Sequence, residues 1–335
     1  MNYRDTPEFW LEFAHVLRRV IAGVANELQA FLGAAGAEVV GTAHSDDIVS
    51  LADDVASKAL RRALGALGLS IALLDEKHGV LEPLSARAPV IGVAADELDG
   101  TRPFRMHCPT ACVSAAAWPI DVPATMQNVR CAVLVRLDTL EAYVMVCGRM
   151  YRVNELGTQW RPFAPAQELG EIPLHDARLY VDNGITSPAL HGLYSQPFQP
   201  NIKMGMLSLA SICYGGVLMM ERGADVLLHL SSREWEVWPE VRPGLERIWG
   251  GMRGLQTYDI AALVPMLVAA GFTVTDAWGR PFGDIRIDKS GLGYAIPGLI
   301  AARNATLHAE ILGAIDAQEA FLLAHREQVT ALLFP

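Results

Sequence analysis

The chain has 335 residues, with 27 lysines and arginines against 37 aspartates and glutamates, a net charge of −10, and 51% hydrophobic residues. This excludes a disordered tail protein, a collagen-like chain and a disulfide-knotted secreted mini-domain, and the length allows two domains or one large layered one. Without a lysine or arginine stripe to offset phosphates, no nucleic-acid partner is expected, so an anionic substrate has to be met locally, for example by bound cations.

Trp10, Phe13, Leu17, Val20, Ile21, Val24, Leu28 and Phe31 recur at steps of three and four, which predicts an amphipathic helix ended by Gly33 and Gly36. A second helix is expected from about Asp53, with Val55, Ala59, Leu60, Ala63 and Leu64 on its apolar face and Gly65 and Gly68 as its stop. Leu69–Leu74 and Val90–Ala95 then read as buried strands, the first running into Asp75-Glu76 and the second into Asp96. Ala132–Arg136 and Glu141–Cys147 predict an antiparallel hairpin that Met150–Val153 extends.

Residues 155–203 are punctuated by Pro162, Pro165, Pro173, Pro188, Pro197 and Pro200 and read as a boundary or an active-site flap. Beyond them Gly205–Met220 is expected to be helical and Asp225–Leu230 a strand. Ile260–Ala270 is expected to be a helix despite Pro265, Phe272–Asp276 a strand and Ala305–Ala317 a last helix. Alternation of strands and helices without a repeat predicts an α/β or α+β layered fold, divided into residues 1–200 and 201–335.

Cys108, Cys112, Cys131, Cys147 and Cys213 form no regular framework, and no second Cys/His pair completes a zinc tetrahedron with the C-x3-C of Cys108 and Cys112. Free thiols in a reducing cytosol are expected. Met1–Trp10 carries Arg4, Asp5 and Glu8 where a secretory leader needs an apolar run. The charge-free stretch Met204–Met220 is shorter than the roughly 20 residues of a membrane span. A cytoplasmic protein with no membrane partner is therefore expected.

Carboxylates at strand ends carry the chemistry. Asp96, Asp99 and Gly100-Thr101 form a D-x-x-D-G-T string, which suits a turn pointing two acids into one crevice while the glycine turns backbone N–H groups outward to cradle an anion. Hard cations such as Mg2+ take such oxygen ligands together with substrate phosphate and water. An Asp- and Gly-rich turn is the bland alternative. Asp53-Asp54 alone reads as an N-cap pair, Asp259 alone as a helix cap and Asp75-Glu76 alone as a solvated loop. His44, His78 and His107 lie near these segments without metal-ligand spacing. Gly291 and Gly293 make no phosphate loop, and no G-x-S-x-G elbow is present.

Val93-Ala94-Ala95-Asp96-Glu97-Leu98-Asp99-Gly100-Thr101 resembles the D-P-[I/L]-D-G-[T/S] signature of the inositol monophosphatase-like family of Mg2+-dependent, lithium-sensitive phosphatases. Other segments follow in that family's order. Val49-Ser50-Leu51-Ala52-Asp53 is similar to its V-T-x-x-D, Leu74-Asp75-Glu76 to its strand-end acidic pair, and Lys203-Met204-Gly205-Met206 to the G-[S/T]-A that opens an apolar helix. Tyr258-Asp259-Ile260-Ala261-Ala262 with Ala270–Asp276 is similar to its W-D-x-A-A and the strand after it, and Asn304–His308 to its terminal stretch.

The resemblance implies a layered α-β-α-β-α sandwich of the inositol monophosphatase and fructose-1,6-bisphosphatase type, working on a small phosphorylated polyol, sugar or inositol with two or three Mg2+ ions. It implies that Asp96 bridges two metals, that Asp75 (or Glu76 in its stead) and the Leu98 carbonyl hold the first, and that Asp99 and Asp259 hold the second. Thr101, hydrogen-bonded toward Asp53, would orient the attacking water, and the Gly100 and Thr101 amides would hold the phosphate. A homodimer is also implied. Nucleotide 3'-phosphates or sugar bisphosphates are the alternative substrates, and a catalytically quiet metal- or ligand-binding relative is the alternative from another class.

The chain departs from the pattern at Glu97, where the family has proline; this added carboxylate either attracts a further cation or, as the favoured reading, faces solvent. Asp75 is one carbon shorter than the usual glutamate, Tyr258 replaces a tryptophan and Phe272 a glycine. Residues 231–257 are longer than the family's segment. Their Trp235 and Trp238 are either a stacking face for a sugar or base, or, as the favoured reading, an insertion packed on the core or on a dimer mate.

Overall fold

The apolar stripe of the first helix is its buried face. Phe9, Trp10, Phe13, Leu17, Val20, Ile21, Val24 and Leu28 are all buried in α1 (Pro7–Gln29), which Thr6 caps by accepting from the Phe9 N–H. The protein is described by a computed structural model covering residues 3–32, 38–42, 48–168, 170–182, 188–249, 255–288 and 296–333. Gly33, Gly36, His44, Gly291 and Gly293 lie outside these residues.

A short hairpin of β1 (Val39–Thr42) and β2 (Ile48–Ser50) leads into α2 (Leu51–Gly65), which starts two residues before the expected Asp53 because Ser50 is its cap. An eight-stranded sheet follows, made of β3 (Ile71–Asp75), β4 (Glu82–Pro83), β5 (Ile91–Asp99), β6 (Cys112–Pro119), β7 (Cys131–Arg136), β8 (Ala142–Val146), β9 (Arg149–Val153) and β10 (Trp160–Pro162). Its order is β10-β9-β8-β7-β6-β5-β3-β4, with only β3 and β5 parallel. The predicted hairpin is β7–β8. The alanine-rich β6 had no alternating pattern to announce it, because both of its faces are buried.

A five-stranded sheet completes the fold, in the order β12-β11-β13-β15-β14. It consists of β11 (Leu179–Val181), β12 (Met206–Leu207), β13 (Val226–His229), β14 (Thr273–Thr275) and β15 (Leu299–Ala302). Leu179–Val181 lies inside the proline-rich segment, so the second sheet begins before the expected division at residue 200. That segment contributes a sheet strand rather than only a linker or flap.

Three apolar clusters fill the spaces between the layers. One packs α1 and α2 on the outer face of the large sheet. A second lies between the two sheets and holds α5 (Ile212–Met220), α8 (Thr257–Ile260) and α9 (Leu263–Ala269). The third covers the far face of the small sheet with α4 (Pro188–Tyr194), α6 (Ser231–Val237), α10 (Ala305–Ala324) and α11 (Arg326–Leu333). The layers therefore run α-β-α-β-α, as expected.

Local departures have local causes. The helix expected at Gly205 opens only at Ile212, where Ser211 caps it through the Tyr214 N–H. Gly205 itself lies beside the edge strand, its carbonyl accepting from Leu179 N. The helix expected over Ile260–Ala270 is two helices, α8 and α9, so Pro265 falls in the first turn of α9, where an N–H has no intrahelical acceptor to lose. The last predicted helix runs on to Ala324, and α11 follows it.

Candidate active site

The carboxyl end of β5 departs from regular pairing. Asp96 stands opposite Ser114 and Asp99 opposite Cys112, so Glu97 and Leu98 face the single Val113 in a bulge. Asp96 stabilises the bulge by accepting the Leu98 N–H at 3.0 Å. Next, Gly100 takes φ 91° and opens a short helix, α3 (Thr101–Arg105). Any side chain at Gly100 would meet the Ser211 Cβ at 2.9 Å, so both conformation and space require glycine.

Three acids converge on this turn from other elements. Glu76 follows β3, and the ligand oxygens of Glu76, Asp96 and Glu97 all lie within 4.8 Å of one another, the group so placed among the described residues. Asp259, third residue of α8, is close enough for its charge to raise the Asp96 carboxyl, and Asp99 acts on Asp96 in the same sense. From the start of α2, Asp53 accepts the Thr101 hydroxyl at 3.2 Å, while Leu98 O is the same hydroxyl's alternative acceptor at 3.1 Å. Asp53 also closes a capping box, its Oδ2 accepting from Ser50 N at 2.7 Å.

Electrostatics follow from burial. The Asp96 carboxyl is pushed well above the usual range, first by loss of water and then by Asp99, Asp259 and Glu97. Glu97 is pushed up to about 8 by burial and then by Asp75. Asp99 is pushed up to about 7 by burial, partly offset by the Ser211 hydroxyl and helped by Asp182. Asp96, Glu97 and Asp99 are thus held together in a dry place, and among the described residues none of these three forms an ion pair with a cationic side chain.

The remaining acids have protein partners. Asp75 is fully buried and accepts Arg61 Nε at 2.6 Å, His78 N at 2.9 Å and His78 Nδ1 at 2.7 Å. Its carboxylate is thereby committed to Arg61 and His78, and the acid beside Asp96 is Glu76, the alternative of the adjacent pair. Asp99 accepts the Ser211 hydroxyl, Ile212 N at 3.2 Å and Cys213 N at 2.9 Å, which ties it to the start of α5. Asp259 Oδ2 accepts Gln256 N at 2.6 Å, so the helix-cap reading of this residue holds alongside its place near Asp96.

Two expectations are corrected, and the favoured reading of Trp235 and Trp238 as core-packed holds against the stacking one. Glu97 does not face solvent: it is 3% exposed, because the bulge carries it into the protein beside Asp96. Trp235 and Trp238 are buried in the outer core behind the small sheet and present no face to a ligand; residues 231–249 are α6, a 3-10 turn and α7 (Arg242–Trp249), anchored by the buried Arg233 on Glu319 and Asp316. Finally, the residue of the apolar helix that meets the acids is Ser211, not Gly205. Ala210 before it sits at φ 52°, a glycine-like conformation, so Ala210-Ser211-Ile212 occupies the place expected for G-[S/T]-A. Ser211 is an N-cap serine before an apolar run, but in a stretch without charges no polar contrast marked where the helix began.

The donor set is oxygen throughout, and the buried Glu97 Oε1 has no hydrogen-bond partner. These residues fit a hard divalent cation of the Mg2+ or Mn2+ kind. No helix among the described residues is long and apolar enough to cross a membrane.

No protein-family model and no curated protein sequence matches this chain. Solved structures match it in fold. The extragenic suppressor protein SuhB of Bartonella henselae is 17% identical, over 90% of this chain and 96% of that one, with a TM-score of 0.61. An inositol monophosphatase of Zymomonas mobilis is 18% identical over 93% and 100%, with a TM-score of 0.61. The IMPase of Thermotoga maritima is 14% identical over 92% and 97%, with a TM-score of 0.62. At these identities the likeness is one of fold: the five layers described above are those of inositol monophosphatase structures.

Proposed function

We propose that this chain is a divalent-cation-dependent phosphomonoester hydrolase of the inositol monophosphatase type, acting on a small phosphorylated polyol, sugar or inositol. The observation that carries the reading is the buried acid cluster at the β5 bulge, with the Thr101–Asp53 hydrogen bond beside it, in a fold shared with inositol monophosphatases. Glu76, Asp96 and the Leu98 carbonyl would hold one Mg2+, with Asp96, Asp99 and Asp259 turned toward a second. Bound there, such cations neutralise phosphate charge and acidify water, which makes one of the slowest uncatalysed hydrolyses feasible.

The chain's own residues do the positioning. Thr101 donates a hydrogen bond to Asp53 Oδ1, which leaves the Thr101 oxygen as an acceptor that would orient a water; as that water's proton moves to Thr101, the hydroxyl proton would pass on to the Asp53 carboxylate. Gly100 and Thr101, at the start of α3, offer backbone N–H groups to phosphate oxygens. Lithium sensitivity, a cytoplasmic location and a homodimer belong to the same reading. Nucleotide 3'-phosphates and sugar bisphosphates are its alternative substrates.

One observation favours a second reading. Asp75 and Asp99 already have strong protein donors, as they would in a relative that binds a cation without turning over phosphate esters. Phosphate release from a panel of inositol, sugar, polyol and nucleotide monophosphates, with and without Mg2+, separates the two. Mg2+-dependent release from at least one member is expected; a folded protein that releases none is the quiet relative. In the active protein, Thr101→Ala is expected to lower kcat by about 10²–10⁴-fold, the scale of a lost general acid–base contact. Thr101→Ser, which keeps the hydroxyl, should retain most of the rate. Equal rates in wild type and Thr101→Ala would remove Thr101 from the mechanism.

A further inference from the structure

We propose that Glu97 is a cation ligand, a third carboxylate joined to Glu76 and Asp96 in one site. The inference deepens the cation-dependent reading above and rests on it. Proline stands at this position in the signature that the segment resembles, so the side chain is an addition of this chain.

A strand would normally point Asp96 and Glu97 to opposite faces. Here the bulge opposite Val113 breaks the alternation, and oxygens of both residues come within 4.8 Å of each other and of Glu76. Glu97 Oε2 accepts a long 3.4 Å contact from Glu76 N, the carboxyl is also stabilised by the Glu97 backbone N–H, and among the described residues Glu97 Oε1 is buried with no hydrogen-bond partner. An orphaned buried acceptor is costly, more so when charged, and such groups in folded proteins call for an ion, a water or a functional explanation.

The basic side chains around the site are directed elsewhere. Arg61 and His78 hold Asp75, while Lys58 and Lys77 hold Asp54. Among the described residues, no lysine, arginine or histidine forms an ion pair with Glu97. A divalent cation satisfies all the requirements together: it engages the free Oε1, neutralises three converging carboxylates, and takes only oxygen ligands. Three carboxylates on one ion also raise its affinity above that of a site with two, since affinity follows ligand charge count.

The test is a calorimetric titration of the full chain, stripped with chelator, using Mn2+ alone and no substrate. Wild type, Glu97→Gln, Glu97→Ala and Asp96→Asn are compared, each with its thermal midpoint in the cation-free state. If Glu97 is a ligand, both Glu97 variants bind Mn2+ at least about tenfold more weakly than wild type, while their cation-free midpoints equal or exceed it because a buried like charge is gone. If Glu97→Gln and Glu97→Ala bind as tightly as wild type while Asp96→Asn binds weakly, the cation site stands and the role of Glu97 is overturned. If wild type takes up no Mn2+, the cation-dependent reading falls and this inference with it.

Discussion

Asp96→Asn is expected to abolish phosphate release and, in the absence of cations, to make the protein more stable at neutral pH. Asp96 is at the centre of the acid cluster, buried, with the charges of Asp99, Asp259 and Glu97 acting on it. Loss of one preorganised charge-stabilising group costs about 10²–10³-fold in rate, and a shared ligand of two ions should reach or exceed that. The stability change has the opposite sign. In the folded protein Asp96 either carries an unneutralised charge or keeps a proton that the unfolded chain would release, and asparagine does neither. The amide can still accept the Leu98 N–H that shapes the bulge. Each kcal/mol relieved raises the thermal midpoint by about 1–2 °C, since the unfolding entropy scales with chain length. The gain should be clear at pH 8, shrink as pH falls toward 4, and disappear below about pH 3, where aspartate is protonated in both states. A variant that loses activity and also melts lower at pH 8 would show that Asp96 is a structural acid and not a site held at the expense of stability.

The second large effect concerns the wild type in chelator: its stability should fall as pH rises from about 7 to 8.5, in contrast to proteins whose carboxylates are salt-bridged. Asp99 and Glu97 hold their protons to about 7 and about 8 in the folded state, against values near 4 in the unfolded chain. The stability linked to those protons is complete below the unfolded values and is lost as pH rises through the folded ones. The limiting slope is about 1.4 kcal/mol per pH unit for each proton involved. Two other sets of groups define the interval. His229 and His308, lowered by burial, act in the opposite direction, but only below about pH 7. Cys112 and Cys213, raised by burial, add a loss of the same sign only above about pH 8.5. Millimolar Mg2+ should restore most of the lost stability at the upper end, since cations bind the deprotonated carboxylates, and a ligand at 100 times its Kd adds about 2.7 kcal/mol. A thermal midpoint in chelator that is flat or rising across the interval would sink this account of the cluster.

Much of the site's inventory was legible in the residues themselves. Apolar runs leading into Asp75-Glu76 and into Asp96 mark the strands that carry the acids, because a buried strand needs no polar alternation; β3 ends at Asp75, while β5 continues through its acids to Asp99. Asp53 is picked out by its V-S-x-x-D setting, and Gly100 by a turn that only glycine tolerates. The α1 stripe and the β7–β8 hairpin follow directly from periods of 3.6 and 2. These features depend on neighbours within a few positions, which is the range over which sequence pattern speaks.

What the pattern left open depends on chain segments that return from far away. Asp75 rather than Glu76 is withdrawn from the cluster because Arg61, on the helix before the strand, reaches it along with His78. Asp99 meets Ser211, 112 positions later, and that contact rather than Gly205 fixes where α5 touches the acids. Trp235 and Trp238 look like stacking platforms as isolated aromatics, yet the small sheet and the helices covering it enclose both. Glu97 is the sharpest case. A lone glutamate replacing a proline reads as a solvated side chain, and only a two-for-one bulge against Val113 carries it indoors. Residue types and their short-range spacing determined which acids gather and on which elements they ride. The tertiary structure alone decided which of those acids take strong protein donors and which lie with their oxygens close together in the buried group, because that depends on donors supplied by distant segments and on how much water the packed layers exclude.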